Sequence, residues 1–93
     1  MTYYAITGLG WGRGEDAMEA ITNYRDIQKR NFRHLSEDDL REAWGFLWKA
    51  PEGATGFRQV IGGTEWTTDG DPIPFAAEDK RADIGNVPEQ FRL

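Results

Sequence analysis

Four apolar or aromatic residues stand between two threonines in residues 2–7 (TYYAIT), near the start of the chain. A short segment rich in aromatic and β-branched residues predicts a strand. Tyr4 and Ile6 are expected on one face of this strand, and Tyr3 and Ala5 on the other. The chain is therefore expected to reach its glycine-rich run, residues 8–14, directly from a strand.

The pattern changes to a helical period between residues 15 and 32. The side chains on one half of the helical wheel are Ala17, Met18, Ala20, Ile21, Tyr24, Ile27, Gln28, Asn31 and Phe32. The charged side chains on the other half are Glu15, Asp16, Glu19, Asp26, Lys29 and Arg30. Acidic residues come first and basic residues last, which matches the helix dipole at both ends. The segment 15–32 is therefore predicted to be an amphipathic helix.

A second helix is predicted from Ser36 to the region of Pro51. Ser36 and Asp39 resemble a capping box, with Asp in place of the usual Glu or Gln. The apolar residues that repeat at helical spacing are Leu40, Ala43, Trp44 and Leu47. Gly45 lies inside this helix, where it would cost roughly 1 kcal/mol relative to Ala.

From Gly56 onward the pattern changes to a period of two, and residues 57–61 (FRQVI) predict a further strand. Gly62-Gly63 follows and predicts a turn or a bulge. Asp69-Gly70 then separates two more strand-like segments, which is a strong signal for a β-hairpin.

The hairpin signal also predicts a register. With Asp69-Gly70 at the turn, Trp66 is expected opposite Ile73. Pro72 and Pro74 lack backbone N–H groups on the same side of their strand. The strand that contains them is therefore expected at the edge of its sheet.

The resulting order, β-α-α-β-β, predicts a small single-domain α+β fold. A three-stranded, mainly antiparallel sheet with two helices on one face would satisfy this order. Residues 1–75 are expected to form the compact domain, and residues 76–93 an extended polar tail. The tail is expected to dock on the domain or on a second subunit. A chain of 93 residues is long enough for one domain with a modest core.

Composition narrows the range of partners. The formal net charge is −5, so repulsion between the acidic chain and the phosphates of DNA or RNA disfavours general binding of nucleic acid. The chain has no cysteine, which excludes disulfides and thiolate metal sites. Its short apolar runs predict no membrane span, and its N-terminus lacks the pattern of a signal peptide. A cytoplasmic location is therefore expected.

Catalytic and metal-binding patterns are sparse. His34 is the sole histidine, and Ser36 is better explained as a helix cap than as a nucleophile. The acidic clusters at 37–39 and at Asp69 and Asp71 match no calcium loop, and are expected as helix N-terminal acids and a turn. We therefore expect no enzyme activity, no cofactor and no metal site.

The glycine-rich run 8–14 (GLGWGRG) is the strongest candidate for a ligand site. Glycines leave backbone amides accessible, and a helix N-terminus favours anions, so a phosphate could bind here. Arg13 would supply charge and Trp11 a stacking surface. The candidate ligand-binding residues of the run are Gly10, Trp11, Gly12, Arg13 and Gly14. The alternative is a flexible strand-to-helix turn with Trp11 packed inward, since the run matches neither the P-loop nor the dinucleotide pattern.

Two further groups could take part in binding. Arg25, Lys29 and Arg33 follow one another at four-residue spacing and could grip a nucleotide or an acidic partner. The alternative is a solvated helix face. The aromatic residues of the second predicted helix form a candidate subunit or partner interface, or else belong to the core. They are Trp44, Phe46 and Trp48.

Together these features predict a non-catalytic binding protein. The leading hypothesis is a homo-oligomer that sequesters a phosphate-bearing, nucleotide-like small ligand through the glycine-rich run. Basic residues of a neighbouring subunit could complete that site. The alternative is an accessory or inhibitor-type protein-interaction module that uses the aromatic interface, with the glycine-rich run serving only as a turn.

Overall fold

The computed structural model describes residues 1–34, 36 and 45–83. Within these residues it contains one α-helix, seven strands and a turn of 3-10 helix at Ala77–Asp79. The helix, α1, spans Ala17–Asn31. The strands are β1 (Tyr3–Thr7), β2 (Gly10–Gly14), β3 (Gly45–Lys49), β4 (Ala54–Val60), β5 (Gly63–Thr68), β6 (Ile73–Pro74) and β7 (Lys80–Asp83).

The strands form two antiparallel sheets. The first has the order β2-β1-β3-β7 and the second the order β4-β5-β6. The predicted three-stranded sheet with two helices on one face is therefore wrong. Three segments account for the difference. Residues 10–14, predicted as part of a loop, form β2, and residues 45–49, predicted as helix, form β3. Residues 80–83, predicted as part of the tail, form β7.

The side chains of β3 alternate between the two faces of the sheet, as the strand conformation requires. Leu47 pairs with Ala5 of β1 and is fully buried, whereas Phe46 and Trp48 point to the opposite face. Aromatic residues favour strands, and β1 needs a second partner, so tertiary pairing overrides the helical spacing. The rest of the predicted second helix, residues 37–44, lies outside the described residues.

The first predicted helix is confirmed. The Asp16 side chain caps it, with Oδ1 accepting a hydrogen bond from the Glu19 backbone N–H at 2.8 Å. At the other end, the Phe32 N–H donates to the Gln28 carbonyl at 2.7 Å. Lys29 and Arg30 occupy the last turn, as the helix dipole favours.

The first core lies between α1 and the first sheet. Its buried residues are Ala5, Ala20, Ile21, Tyr24 and Leu47. The Tyr24 hydroxyl is 2.7 Å from Thr7 Oγ1, so the ring is buried while its polar end remains hydrogen-bonded. This contact holds the middle of α1 over the end of β1.

Ionisation of the Tyr24 phenol at alkaline pH is expected to destabilise the fold. Burial raises the pKa of the Tyr24 phenol, and the hydrogen bond with Thr7 offsets part of that rise. The folded state therefore holds this proton more tightly than the unfolded state. The contribution of the Tyr24 phenol to the free energy of unfolding is complete below about pH 10 and is lost as the pH rises through the folded-state pKa. We expect the free energy of unfolding, measured with urea, to fall more steeply above that pH in the native chain than in Tyr24→Phe. Equal slopes would contradict this account.

The opposite face of the first sheet packs on the second sheet through an aromatic cluster. Its members are Tyr4, Trp11, Trp48, Phe57, Trp66 and Phe75. Trp66 and Phe75 stack with ring centroids 4.0 Å apart, and Tyr4 lies edge-on to Phe57 at 5.3 Å. Trp66 is fully buried, and its Nε1–H donates to Asp79 Oδ2 at 3.2 Å. The first sheet is thus covered by the helix on one side and by the second sheet on the other.

The predicted hairpin and its register are confirmed. Trp66 pairs with Ile73, and the Phe75 N–H donates to the Thr64 carbonyl at 3.1 Å. The proline-containing strand β6 lies at the edge of the second sheet, as expected. Residues 80–83 belong to the predicted tail, and they form β7, which pairs with β3 in the first sheet. The division of the chain after residue 75 stays a prediction, and residues 84–93 lie outside the described part.

Candidate functional site

The alternating glycines of β2 lie against α1. A Cβ atom on Gly12 would be 2.2 Å from the Tyr24 backbone nitrogen, and one on Gly14 would be 2.3 Å from that of Ala20. Both distances are far inside normal van der Waals contact. The absence of side chains on this face of β2 therefore lets the helix backbone approach the strand directly.

Residues 10–14 of the glycine-rich run are therefore a strand, not the predicted flexible loop, and they are paired with β1. The carbonyl of Arg13 accepts a hydrogen bond from Asn23 Nδ2 at 2.6 Å, so it points away from β1. Along a strand, the backbone N–H and C=O groups of successive residues point alternately to its two sides. The N–H and C=O groups of Gly10, Gly12 and Gly14 therefore point toward β1, where a phosphate cannot reach them. A phosphate-binding role for these three glycines stays a prediction that this geometry does not favour.

The side chains between the glycines lie on the other face of β2. The Trp11 indole is 50% exposed, yet its ring packs edge-on against Phe57 at 5.5 Å and lies 6.0 Å from Tyr4. The Arg13 guanidinium carbon lies 5.9 Å from the centre of the Tyr4 ring. The expectation that Trp11 packs inward therefore holds only in part. The aromatic neighbours cover about half of its side chain, and the exposed half is accessible to a ligand.

An open groove of about 780 Å³ runs between the outer edge of β2 and α1. The described residues that line it are Trp11, Arg13, Asn23, Asp26, Ile27, Lys29 and Arg30. We call it the β2–α1 groove. Its volume lies within the range of about 300–1,000 Å³ that is typical of small-molecule sites.

The β2–α1 groove brings together three residues that the sequence assigned to ligand binding, Trp11, Arg13 and Lys29. It also contains Arg30 and the carboxylate of Asp26. Three cations and one carboxylate make these lining residues positive, in a chain whose formal net charge is −5. The groove is therefore a local site of attraction for anions.

The other predicted basic residues are placed elsewhere. Arg25 is half-buried on α1 and is not among the described lining residues. Arg33 is exposed beyond the end of the helix. Their predicted contribution to binding therefore has no counterpart in the described part of the groove.

The predicted aromatic interface does not form a helical stripe. Phe46 and Trp48 are half-buried on β3, with ring centroids 5.9 Å apart. Trp48 also lies 4.6 Å from Phe75, and the Lys80 ammonium lies 4.5 Å from the centre of the Phe46 ring. Trp48 therefore contributes to the contact between the two sheets. Trp44 lies outside the described residues.

Several groove residues were not assigned to the site by the sequence. They are Asn23, Asp26, Ile27 and Arg30. The sequence contains a signal for them, since these positions recur at three- and four-residue spacing along α1. That signal indicates a site only once residues 10–14 are known to form a strand beside the helix.

Other kinds of site find less support in the described residues. No group of three or more His, Cys, Asp or Glu side chains among them could hold a metal ion. No described helix combines the length and apolar character needed to cross a bilayer.

Comparison of the chain with protein-family models, curated proteins and solved structures found no match.

Proposed function

We propose that the β2–α1 groove captures a small phosphate-bearing, nucleotide-like ligand. The observation that carries this proposal is the presence of a supported, half-exposed indole and three cations in one groove. Stacking of a base on an aromatic side chain contributes about 1–3 kcal/mol. Arginine and lysine form charge-assisted hydrogen bonds with phosphate oxygens. The groove therefore offers a separate contact to each half of a nucleotide.

The proposed role is sequestration without a reaction. Sequestration requires affinity alone, and the groove's polar groups are suited to holding charge and a flat ring. Lys29 and Arg13 line the groove within one chain, so the site needs no basic residue from a neighbouring subunit. Homo-oligomer formation and a cytoplasmic location stay predictions of the sequence.

The alternative function, a protein-interaction module, receives less support from the geometry. Of its three aromatic residues, Phe46 and Trp48 are half-buried within the sheet that carries them. A Trp48→Ala variant would therefore disturb the contact with Phe75 along with any partner contact. Loss of partner binding in that variant would not by itself identify an interface.

Titration calorimetry with ATP tests the proposed function. Arg13→Gln should weaken binding by about tenfold, because one charge-assisted contact is worth about 1.5–3 kcal/mol. The matched control is Arg58→Gln, which removes the same charge from the second sheet, where Arg58 Nε pairs with Glu65 at 2.6 Å. The control should change the dissociation constant by less than about twofold. Equal loss of ATP binding in both variants, or failure of the native chain to bind any adenine nucleotide, would refute the proposal.

A further inference from the structure

The packing of α1 on β2 sets the order of chemical groups along the β2–α1 groove. Cβ atoms on Gly14, Gly12 and Gly10 would meet Ala20, Tyr24 and Gln28, respectively. Helix and strand therefore run in opposite directions, and each step of two residues on β2 matches about one helical turn. This register places every lining residue at a level along the groove.

The two ends of the groove are cationic. Arg13 lies at the level of Asn23, whose side-chain amide donates to its carbonyl at 2.6 Å. Lys29 and Arg30 lie at the opposite end, beyond the level of Gly10. The helix rises 1.5 Å per residue, so the level of Asn23 and that of Arg30 are about 10 Å apart.

The centre of the groove has a different chemistry. Trp11 lies between the levels of Gly10 and Gly12, which is also the level of the helix residues Asp26 and Ile27 that line the same groove. A carboxylate at this level repels phosphate but can accept hydrogen bonds from the amino groups of a base. A base stacked on Trp11 is compatible with this centre, whereas a phosphate is not.

We infer that the ligand carries phosphates on both the 3′ and the 5′ side of its ribose, as a nucleoside 3′,5′-bisphosphate or an internal nucleotide of a short oligonucleotide does. This inference rests on the proposed function of the same groove. A nucleotide with all its phosphates on the 5′ side reaches one cationic end and leaves the other without an anion. A ligand phosphorylated on both sides reaches Arg13 at one end and Arg30 at the other.

Calorimetric titrations with adenosine 3′,5′-bisphosphate and with ADP, at the same ionic strength, test the inference. The two probes have the same base and the same number of phosphates, but differ in where the second phosphate is attached. We expect the 3′,5′-bisphosphate to bind at least about tenfold more tightly. Arg13→Gln and Arg30→Gln should each weaken its binding about tenfold, whereas Arg13→Gln alone should weaken the binding of ADP, as it weakens that of ATP.

The outcomes separate this inference from the function on which it rests. Equal affinity for the two probes, or loss of 3′,5′-bisphosphate binding in only one of the two variants, would overturn the inference and leave the groove as a nucleotide site. Failure of AMP, ADP, ATP and the 3′,5′-bisphosphate to bind the native chain would overturn the proposed function as well. Arg58→Gln, on the second sheet, again serves as the charge control.

Discussion

Gly12→Ala should unfold the protein or reduce its free energy of unfolding by more than about 3 kcal/mol. The added methyl carbon would lie 2.2 Å from the Tyr24 backbone nitrogen and 2.4 Å from its Cα. Those are helix backbone atoms, so no side-chain rotation can relieve the overlap. Helix α1 would have to move away from β2, which would open the core around Ala20 and Tyr24.

Urea unfolding followed by circular dichroism measures this effect. Gly8→Ala is the matched control, since an added Cβ there meets nothing within 4 Å. The control should change the free energy of unfolding by no more than about 0.5 kcal/mol. If the two variants had the same free energy of unfolding, α1 would not lie against β2 as described.

Trp66→Ala should cost about 3–5 kcal/mol of stability, the range typical of large aromatic residues removed from a core. Trp66 is fully buried, stacks on Phe75 at 4.0 Å and lies 5.6 Å from Tyr4. Its removal would leave a cavity between the two sheets. It would also deprive Asp79 of the indole N–H that it accepts at 3.2 Å.

Trp11→Ala provides the comparison, because it deletes the same side chain from the exposed margin of the same cluster. Trp11 is 50% exposed, so its deletion should cost less than half as much as that of Trp66. Thermal unfolding of both variants measures the difference. Equal destabilisation would contradict the placement of Trp66 at the centre of the contact between the sheets.

The elements that could be predicted from sequence are those with long, regular patterns. Helix α1 has an amphipathic period and a capping Asp16, and the hairpin at Asp69-Gly70 has a turn signal between alternating segments. At these two elements the local signals agree with the tertiary contacts, whereas at residues 45–49 the pairing with β1 overrides the helical spacing. The pairing of Trp66 with Ile73 follows from the turn alone.

Strand β2 could not be recognised because the reason for its glycines is tertiary. Glycine is depleted in strands, and a glycine-rich run after a strand usually indicates a loop. Here Gly10, Gly12 and Gly14 occupy the face that meets α1, where larger residues do not fit. The available signal was their strict alternation with Trp11 and Arg13, which has the period of a strand.

The candidate site was predictable in part for the same reason. Trp11, Arg13 and Lys29 carry chemistry that suits a nucleotide, and the sequence identifies them from residue type alone. Their convergence depends on the antiparallel packing of α1 against β2, which no local pattern determines. Asp26 and Arg30 enter the site only through that packing.

An NMR titration of the ¹⁵N-labelled protein with adenosine 3′,5′-bisphosphate tests the central claim, ligand capture in the β2–α1 groove, most directly. The signals of the Trp11 indole, the Asn23 side-chain amide and the Arg30 backbone should shift and saturate together. The signals of the buried Trp66 indole and of Gly62, in the turn between β4 and β5, should keep their positions, because neither residue lines the groove. Shifts that concentrate at Gly62, or no shift at a saturating concentration, would contradict the account.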